Sequence, residues 1–236
     1  MTLQPPVPLS SSRGGTEMFW EGFDDAQVAG GVAQGRLQEY LDTIGPPGSW
    51  ACDPHKGMLV LRGKTFAAQM LGSWGRTEWL WSWANPFLKI PDDKTTIARA
   101  MRDEMAGDGM NAFTIPFVDF EGEAGPHHIA MQVVGHGHAD AYYVCQFDES
   151  QVVYVIAKGQ IVPQWPKLYE LQRAITNVMA GEGLKAGIRA IEQGARFLGL
   201  TPDRTAKHLV VRDGSDKLVV ELDGDAIRKI DADVKL

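Results

Sequence analysis

The sequence predicts an α+β fold in a single domain, mainly antiparallel sheet with helices packed on it. Three observations predict it. Short strand-like segments follow one another across tight turns over residues 49–84 and again after residue 208. Helical periodicities interrupt these runs without the regular alternation of a doubly wound sheet, and no period of 20–50 residues repeats. The 236 residues, 44% apolar and 22% charged, are enough to bury a sizeable core, and no run approaches the ~20 apolar residues of a membrane span.

The first 17 residues hold three prolines, a serine run and a glycine pair, with no apolar stretch of the signal-peptide kind. They read as a disordered tail, residues 18–236 as the folded domain, and cytoplasm as the expected location. A helix follows from Phe23 to about Ile44, with Asp24 as its cap. Ala26, Ala29, Ala33, Leu37, Tyr40, Leu41 and Ile44 form one stripe at helical spacing. Gly30, Gly31 and Gly35 each cost about 1 kcal/mol relative to Ala, so this small-residue face predicts close approach to a sheet or another helix. Gly45-Pro46-Pro47-Gly48 ends the helix.

Strands are expected at 50–53, 58–61, 66–74 and 78–84, an antiparallel meander. Pro91 to Met105 reads as a second helix capped by Asp92, with Ile97, Met101 and Met105 in line. Phe113 to Val118 reads as a short strand, and Pro126 to about Val134 as a helix with Pro in its first turn. A hairpin is expected around Asp148-Glu149-Ser150. Leu168, Leu171, Ile175 and Val178 mark one amphipathic helix. Leu184, Ile188, Ile191, Ala195 and Leu198 mark another, the two parted by Gly181 and Gly183. Strands near 208–212, 217–222 and 226–230, turned at Asp213-Gly214 and Asp223-Gly224, complete the chain.

With 23 basic and 30 acidic residues the net charge is −7. Basic residues are scattered singly, so neither nucleic acid nor a membrane surface is an expected partner. Cys52 and Cys145 are far apart and in no C-x-x-C pair. They read as packed thiols in a reducing compartment. No cofactor motif is complete. The stretch from Gly57 to Thr65 has one residue too many between its glycines for a phosphate loop, and the glycines at 181–187 have the wrong spacing for a dinucleotide fingerprint. No cofactor is therefore expected.

The most unusual stretch runs Leu71-Gly72-Ser73-Trp74, then Glu78-Trp79-Leu80-Trp81-Ser82-Trp83-Ala84-Asn85-Pro86. In a strand, Trp79, Trp81 and Trp83 share one face. Either these indoles are core, each burying ~150–250 Å², or the face lines a groove that recognises a sugar, a flat ligand or a partner protein. In the second case Trp74, Trp79, Trp81, Trp83 and Asn85 are the candidate ligand-binding residues. The order Leu-Gly-Ser-Trp, a short turn, then Thr-Glu-Trp-Leu-Trp-Ser-Trp-Ala-Asn resembles the signature of an uncharacterised bacterial family, the domain of unknown function 6882. The likeness is sharp over residues 71–85 and looser over 23–157. It implies a small bacterial α+β protein and supplies no catalytic residue.

His127, His128, His136 and His138 cluster in sequence. The run Gly135-His136-Gly137-His138-Ala139-Asp140 is similar to the H-x-H-x-D-H motif of the metallo-β-lactamase superfamily. That resemblance implies His136 and His138 as ligands of one metal and Asp140 as a ligand of another, with an open position for water. The motif's last His is Ala141 here, and of the downstream ligands only His208 is available. The competing reading is a glycine- and histidine-rich turn before the Tyr142-Tyr143 strand.

The sequence thus points to a non-catalytic module that binds a small molecule or a protein through an aromatic groove. A metal-dependent hydrolase built on the His-x-His-x-Asp cluster is one alternative. An immunity-type partner of another bacterial protein is a second.

Overall fold

In the computed structural model, residues 23–75, 78–107, 111–119, 125–180, 187–224 and 226–234 are described. The expected tail, the Asp24 side chain expected as a cap, Leu184 and the turns at Arg76-Thr77 and Gly181–Gly183 lie outside what is described. The fold is α+β. After a short 3-10 turn at Phe23–Ala26 comes α1 (Gln27–Ile44). A seven-stranded antiparallel sheet contains β1 (Trp50–Asp53), β2 (Met58–Leu61), β3 (Lys64–Gly75), β4 (Glu78–Trp81), β5 (Phe117–Asp119), β6 (Ala141–Phe147) and β7 (Ser150–Ile156). The long β3 is its spine. β2 pairs with its first half and β4 with its second half along one edge, while β7, followed by β6, lines the other.

The helices α2 (Thr96–Gly107), α3 (Asn111–Thr114) and α4 (Pro126–Gly135) are inserted between these strands. Two further helices, α5 (Lys167–Ala180) and α6 (Ile188–Phe197), lead into a second antiparallel sheet. It is built from β8 (Pro202–Arg204), β9 (His208–Asp213), β10 (Asp216–Asp223) and β11 (Ala226–Asp233) in the order β11-β10-β9-β8. No described helix is long and apolar enough to cross a membrane.

Alternation along each strand gives the first sheet two buried faces. Leu71, Trp79, Trp81, Tyr142, Val153 and Val155 pack under α2 and α4. On the opposite face Leu59, Leu61, Phe66, Met70, Cys145, Tyr154 and Ile156 enclose the C-terminal half of α1. A third cluster joins α5 and α6 to β9 and β10. Helix α1 contributes to all three, through Ala33 to the first, Leu37 and Leu41 to the second, and Val28 and Val32 to the third.

The small-residue face predicted for α1 is where neighbours come closest. A Cβ on Gly30 would lie 2.7 Å from the Met131 carbonyl of α4, and one on Gly31 would touch Val178 and Ala174 of α5 at 3.4 and 3.6 Å. The helix cost of the glycines is thereby offset by tight packing on both flanks. Arg36 anchors the same helix to α5 through a two-pronged pair with buried Glu170, at 3.0 and 2.7 Å.

The structure corrects four expectations. The strand expected over 78–84 ends at Trp81, and Ser82–Ala84 form a 3-10 turn. The β4–β5 ladder pairs only Glu78, Trp79 and Leu80, then reaches Pro116, whose carbonyl accepts from Trp81 but which has no N–H to return. Asn85 Oδ1 next accepts the N–H groups of Phe87 and Leu88 and turns the chain away. Asp92 lies in a 3-10 turn before α2 and pairs with Arg99 instead of capping the helix. The strand expected from Phe113 is helical up to Thr114 and begins at Phe117. Strand β8 was not expected, because Pro202 opens a segment only three residues long; an edge strand tolerates proline at its first position.

Candidate functional site

The tryptophan face is core where the strand persists. Trp79 is 0% exposed and Trp81 1%, with ring centroids 5.3 Å apart at 84°. Trp81 also tilts against Phe113 at 5.4 Å, and its Nε1–H donates to the Ala112 carbonyl at 3.0 Å. Trp74 and Trp83 are half-buried and pack on this cluster from its margin. The 3-10 turn takes Trp83 off the shared face and sets it beneath the Arg102 guanidinium, 5.1 Å from the ring centroid. Asn85 spends its side-chain oxygen on the turn that follows. The five candidate residues therefore do not form one open aromatic surface. Only Trp74, Trp83 and Asn85 reach its rim.

The histidine run is placed by α4 and the loop after it. Gly135 lets α4 meet the Phe23–Ala26 turn, since a Cβ there would lie 2.3 Å from the Ala26 carbonyl. Gly137 has φ +77°, a left-handed conformation that reverses the chain between His136 and His138. Both imidazoles then grip one carboxylate of α2. His136 Nδ1 lies 2.9 Å from Glu104 Oε1, and His138 Nε2 lies 2.7 Å from Glu104 Oε2. Each ring N–H donates to its own oxygen, which fixes both tautomers.

His127 meets the Tyr142 hydroxyl at 3.2 Å, and burial, helped by His128, holds its pKa below the usual histidine value. His128 Nδ1 accepts from the Gly125 N–H at 3.2 Å at the start of α4. Asp140 does not join the two histidines. Its Oδ2 accepts the N–H groups of Gln160 and Ile161 at 2.7 and 2.9 Å and shapes the loop after β7. Among the described residues no group of three or more His, Cys, Asp or Glu side chains is arranged to hold a metal ion.

The Glu104 clamp makes a measurable claim. Burial alone raises a carboxyl pKa, but the hydrogen bonds from His136 and His138 outweigh it and leave Glu104 below the usual glutamate value. The clamp's stabilisation is therefore present above the ordinary glutamate pKa and is lost as pH falls through the lower, folded-state value. Glu104 is partly exposed, so the contribution is discounted to about 1 kcal/mol. Urea unfolding of Glu104→Gln is expected to show that loss at neutral pH, shrinking toward zero in acid. Equal stability of the two proteins at pH 7 would show that the clamp carries no energy.

A cleft of about 490 Å³ opens beside this loop. Gly135, His136, Gly137, Ala139 and Asp140 form one wall, Lys158 stands at the end of β7, and Gln193, Arg196 and Phe197 come from α6. The ammonium of Lys158 lies near Gly137, 3.8 Å from where a Cβ would be. Arg196 makes a loose pair with Glu192 at 3.8 Å. Phe197 gives an apolar wall, with the Arg36 guanidinium 5.8 Å from its ring centroid. Sequence reading reached His136 and Asp140 for a different chemistry and missed Lys158, Gln193 and Arg196. Those three lie on segments distant in sequence from the histidine run, and no local motif links them to it.

No curated protein and no solved structure matches this chain. Residues 23–159, from the turn before α1 to the end of the β6–β7 hairpin, match the family of unknown function DUF6882. That span is more than half of the sequence and includes the tryptophan strand, the histidine loop and Lys158; the chain belongs to this family.

Proposed function

We propose that the protein is a binding module for a small polar ligand with an acidic end, seated in the cleft between the α4–β6 loop and α6. The observation that carries this reading is the placement of Lys158 and Arg196, from distant segments, on the walls of one cleft. Its volume falls in the ~300–1,000 Å³ range of small-ligand sites.

Charge decides which end of the ligand goes where. Helices α4 and α6 both finish at this cleft, and each carbonyl end carries roughly half a negative charge. Lys158 and Arg196 each bring a full positive charge, so beside either cation an acidic group is favoured. Toward the carbonyl ends and Asp140, hydrogen-bond donors on the ligand are favoured. Arg196 offers a planar fork for a carboxylate or phosphate, Lys158 a point charge, and the Gln193 amide either role. The Phe197 ring accepts a short apolar stem. Recognition through aromatic contact, expected from the tryptophans, is limited to the margins at Trp74 and Trp83, because Trp79 and Trp81 are sealed in the core.

Calorimetric titration with amino acids, hydroxy acids and sugar phosphates tests the reading, alongside their neutral amides or dephosphorylated forms. At least one acidic member is expected to bind, and Lys158→Ala and Arg196→Ala are each expected to weaken it about tenfold, the worth of one charge-assisted bond. Equal binding of the neutral analogues, unchanged binding in both variants, or no binding of any acidic member would overturn it.

A further inference from the structure

We propose that Cys52 and Cys145 are a redox-active pair that closes to a disulfide between β1 and β6 when the protein meets a peroxide. Strands β2, β3 and β7 lie between these two in the sheet, so nothing in the strand order brings them together. Curling of the sheet does. Trp50 of β1 packs edge-on against Phe147 of β6, with centroids 4.9 Å apart at 75°. Side chains two apart on a strand share a face. Cys52 is two residues after Trp50, and Cys145 is two residues before Phe147. The aromatic contact brings these two strands together, and the two thiols meet beside it. Both belong to the cluster that encloses the C-terminal half of α1.

The two sulfurs are not equivalent. Cys52 is half-buried and reachable from solvent, whereas Cys145 is fully buried. The thiols are hydrogen-bonded, and the Tyr154 hydroxyl also donates to Cys52. These bonds, the one from Cys145 first, pull the Cys52 thiol down to about 6 against burial and the nearby Asp53 carboxylate. Cys145, the donor, is pushed well above the usual thiol value by the same bond and by burial. Cys52 is thus the nucleophile and Cys145 keeps its proton until the second step.

In the first step the Cys52 thiolate attacks one oxygen of hydrogen peroxide. An S–O bond forms, the O–O bond breaks, and hydroxide leaves to become water with a proton from solvent. In the second, Cys145 gives up its proton and its sulfur attacks the Cys52 sulfur. The S–S bond forms, the S–O bond breaks, and a second water leaves. Two thiols and one peroxide become one disulfide and two waters.

The test treats the reduced full-length protein with hydrogen peroxide, then measures free thiols, intact mass and a non-reducing peptide map. Both thiols are expected to disappear together, with the chain two hydrogens lighter, a Cys52–Cys145 cross-linked peptide, and full recovery on adding dithiothreitol. Under the same exposure Cys145→Ala is expected to accumulate a Cys52 sulfenic acid that dimedone captures, while Cys52→Ala leaves Cys145 a free thiol. Retention of both thiols, oxygen added to either sulfur without a link, or links only between chains in the unmutated protein overturns the proposal. The unmutated protein decides it even if a variant fails to fold.

Discussion

Replacing Gly72 by alanine is expected to lower the unfolding free energy by about 3 kcal/mol, the upper end of what overpacking usually costs. Gly72 lies in the middle of β3, opposite Trp81 on β4, with β7 on its other edge. A Cβ there would sit 2.3 Å from Trp79 Cζ2, 2.6 Å from Trp79 Cε2 and 2.7 Å from the Leu80 carbonyl. The indole has little room to withdraw, since Trp79 is sealed between Trp81 and the helices above. The carbonyl belongs to a paired strand and has still less. Urea unfolding checks the loss, and the double variant with Trp79→Phe identifies its cause. A smaller ring relieves part of the clash, so the two substitutions are expected to be non-additive by about 1 kcal/mol or more. A cost under about 1 kcal/mol for Gly72→Ala alone would mean that β3 and β4 part easily.

This explains in physical terms why the Leu-Gly-Ser-Trp and Trp-Leu-Trp segments go together. The glycine of the first is the floor on which an indole of the second lies. The segment that carries the family resemblance is therefore a packing device, and the chemistry suggested by its aromatic content does not follow from it. The alternation of Trp79 and Trp81 was legible because a strand's period is two. The displacement of Trp83 was not, because the strand ends where its partner runs into Pro116, which is distant in sequence. The helices α1, α4, α5 and α6 and the late hairpins were legible from apolar spacing, glycine pairs and Asp-Gly turns. Their mutual arrangement was not.

The candidate site shows the same division. His136, Gly137 and His138 stood out as a cluster, and the left-handed Gly137 is what a tight His-Gly-His reversal requires. Their partner Glu104 is on α2, so the sequence alone offered a glycine- and histidine-rich turn, with a metal site as the alternative, and no sign of the carboxylate that joins the two rings. Lys158 and Arg196 are two of the basic residues scattered singly along the sequence. They became a pair only once α6 packed beside the histidine loop. The cysteines read as two separate packed thiols for the same reason: sequence separation hides a contact that the curl of the sheet creates.

A chain ending at residue 159, close to the limit of the family match, is expected to lose cooperative unfolding and to bind hydrophobic dyes. We propose accordingly that residues 23–234 fold as one unit. Val28 and Val32 of α1 face α5 and α6, and both are buried. Removing those helices exposes the two valines at about 1.5–3 kcal/mol each, together roughly 3–6 kcal/mol of lost burial. Set against a net stability of ~5–15 kcal/mol for a typical domain, that loss alone brings the fragment near its limit. Arg36 loses Glu170 and Glu39 loses Arg173, but these groups return to water, so their separation adds little beside the apolar term. Gly31 adds to the effect, because its missing side chain leaves a bare helix flank once Val178 and Ala174 are gone. Size-exclusion chromatography and thermal melting of the fragment decide the matter. A monomeric fragment that melts as sharply as the intact chain would divide the protein into two domains, with α1 a complete wall of the first. Aggregation or a broad melt would instead make α1 the element around which both sheets must assemble before either is stable.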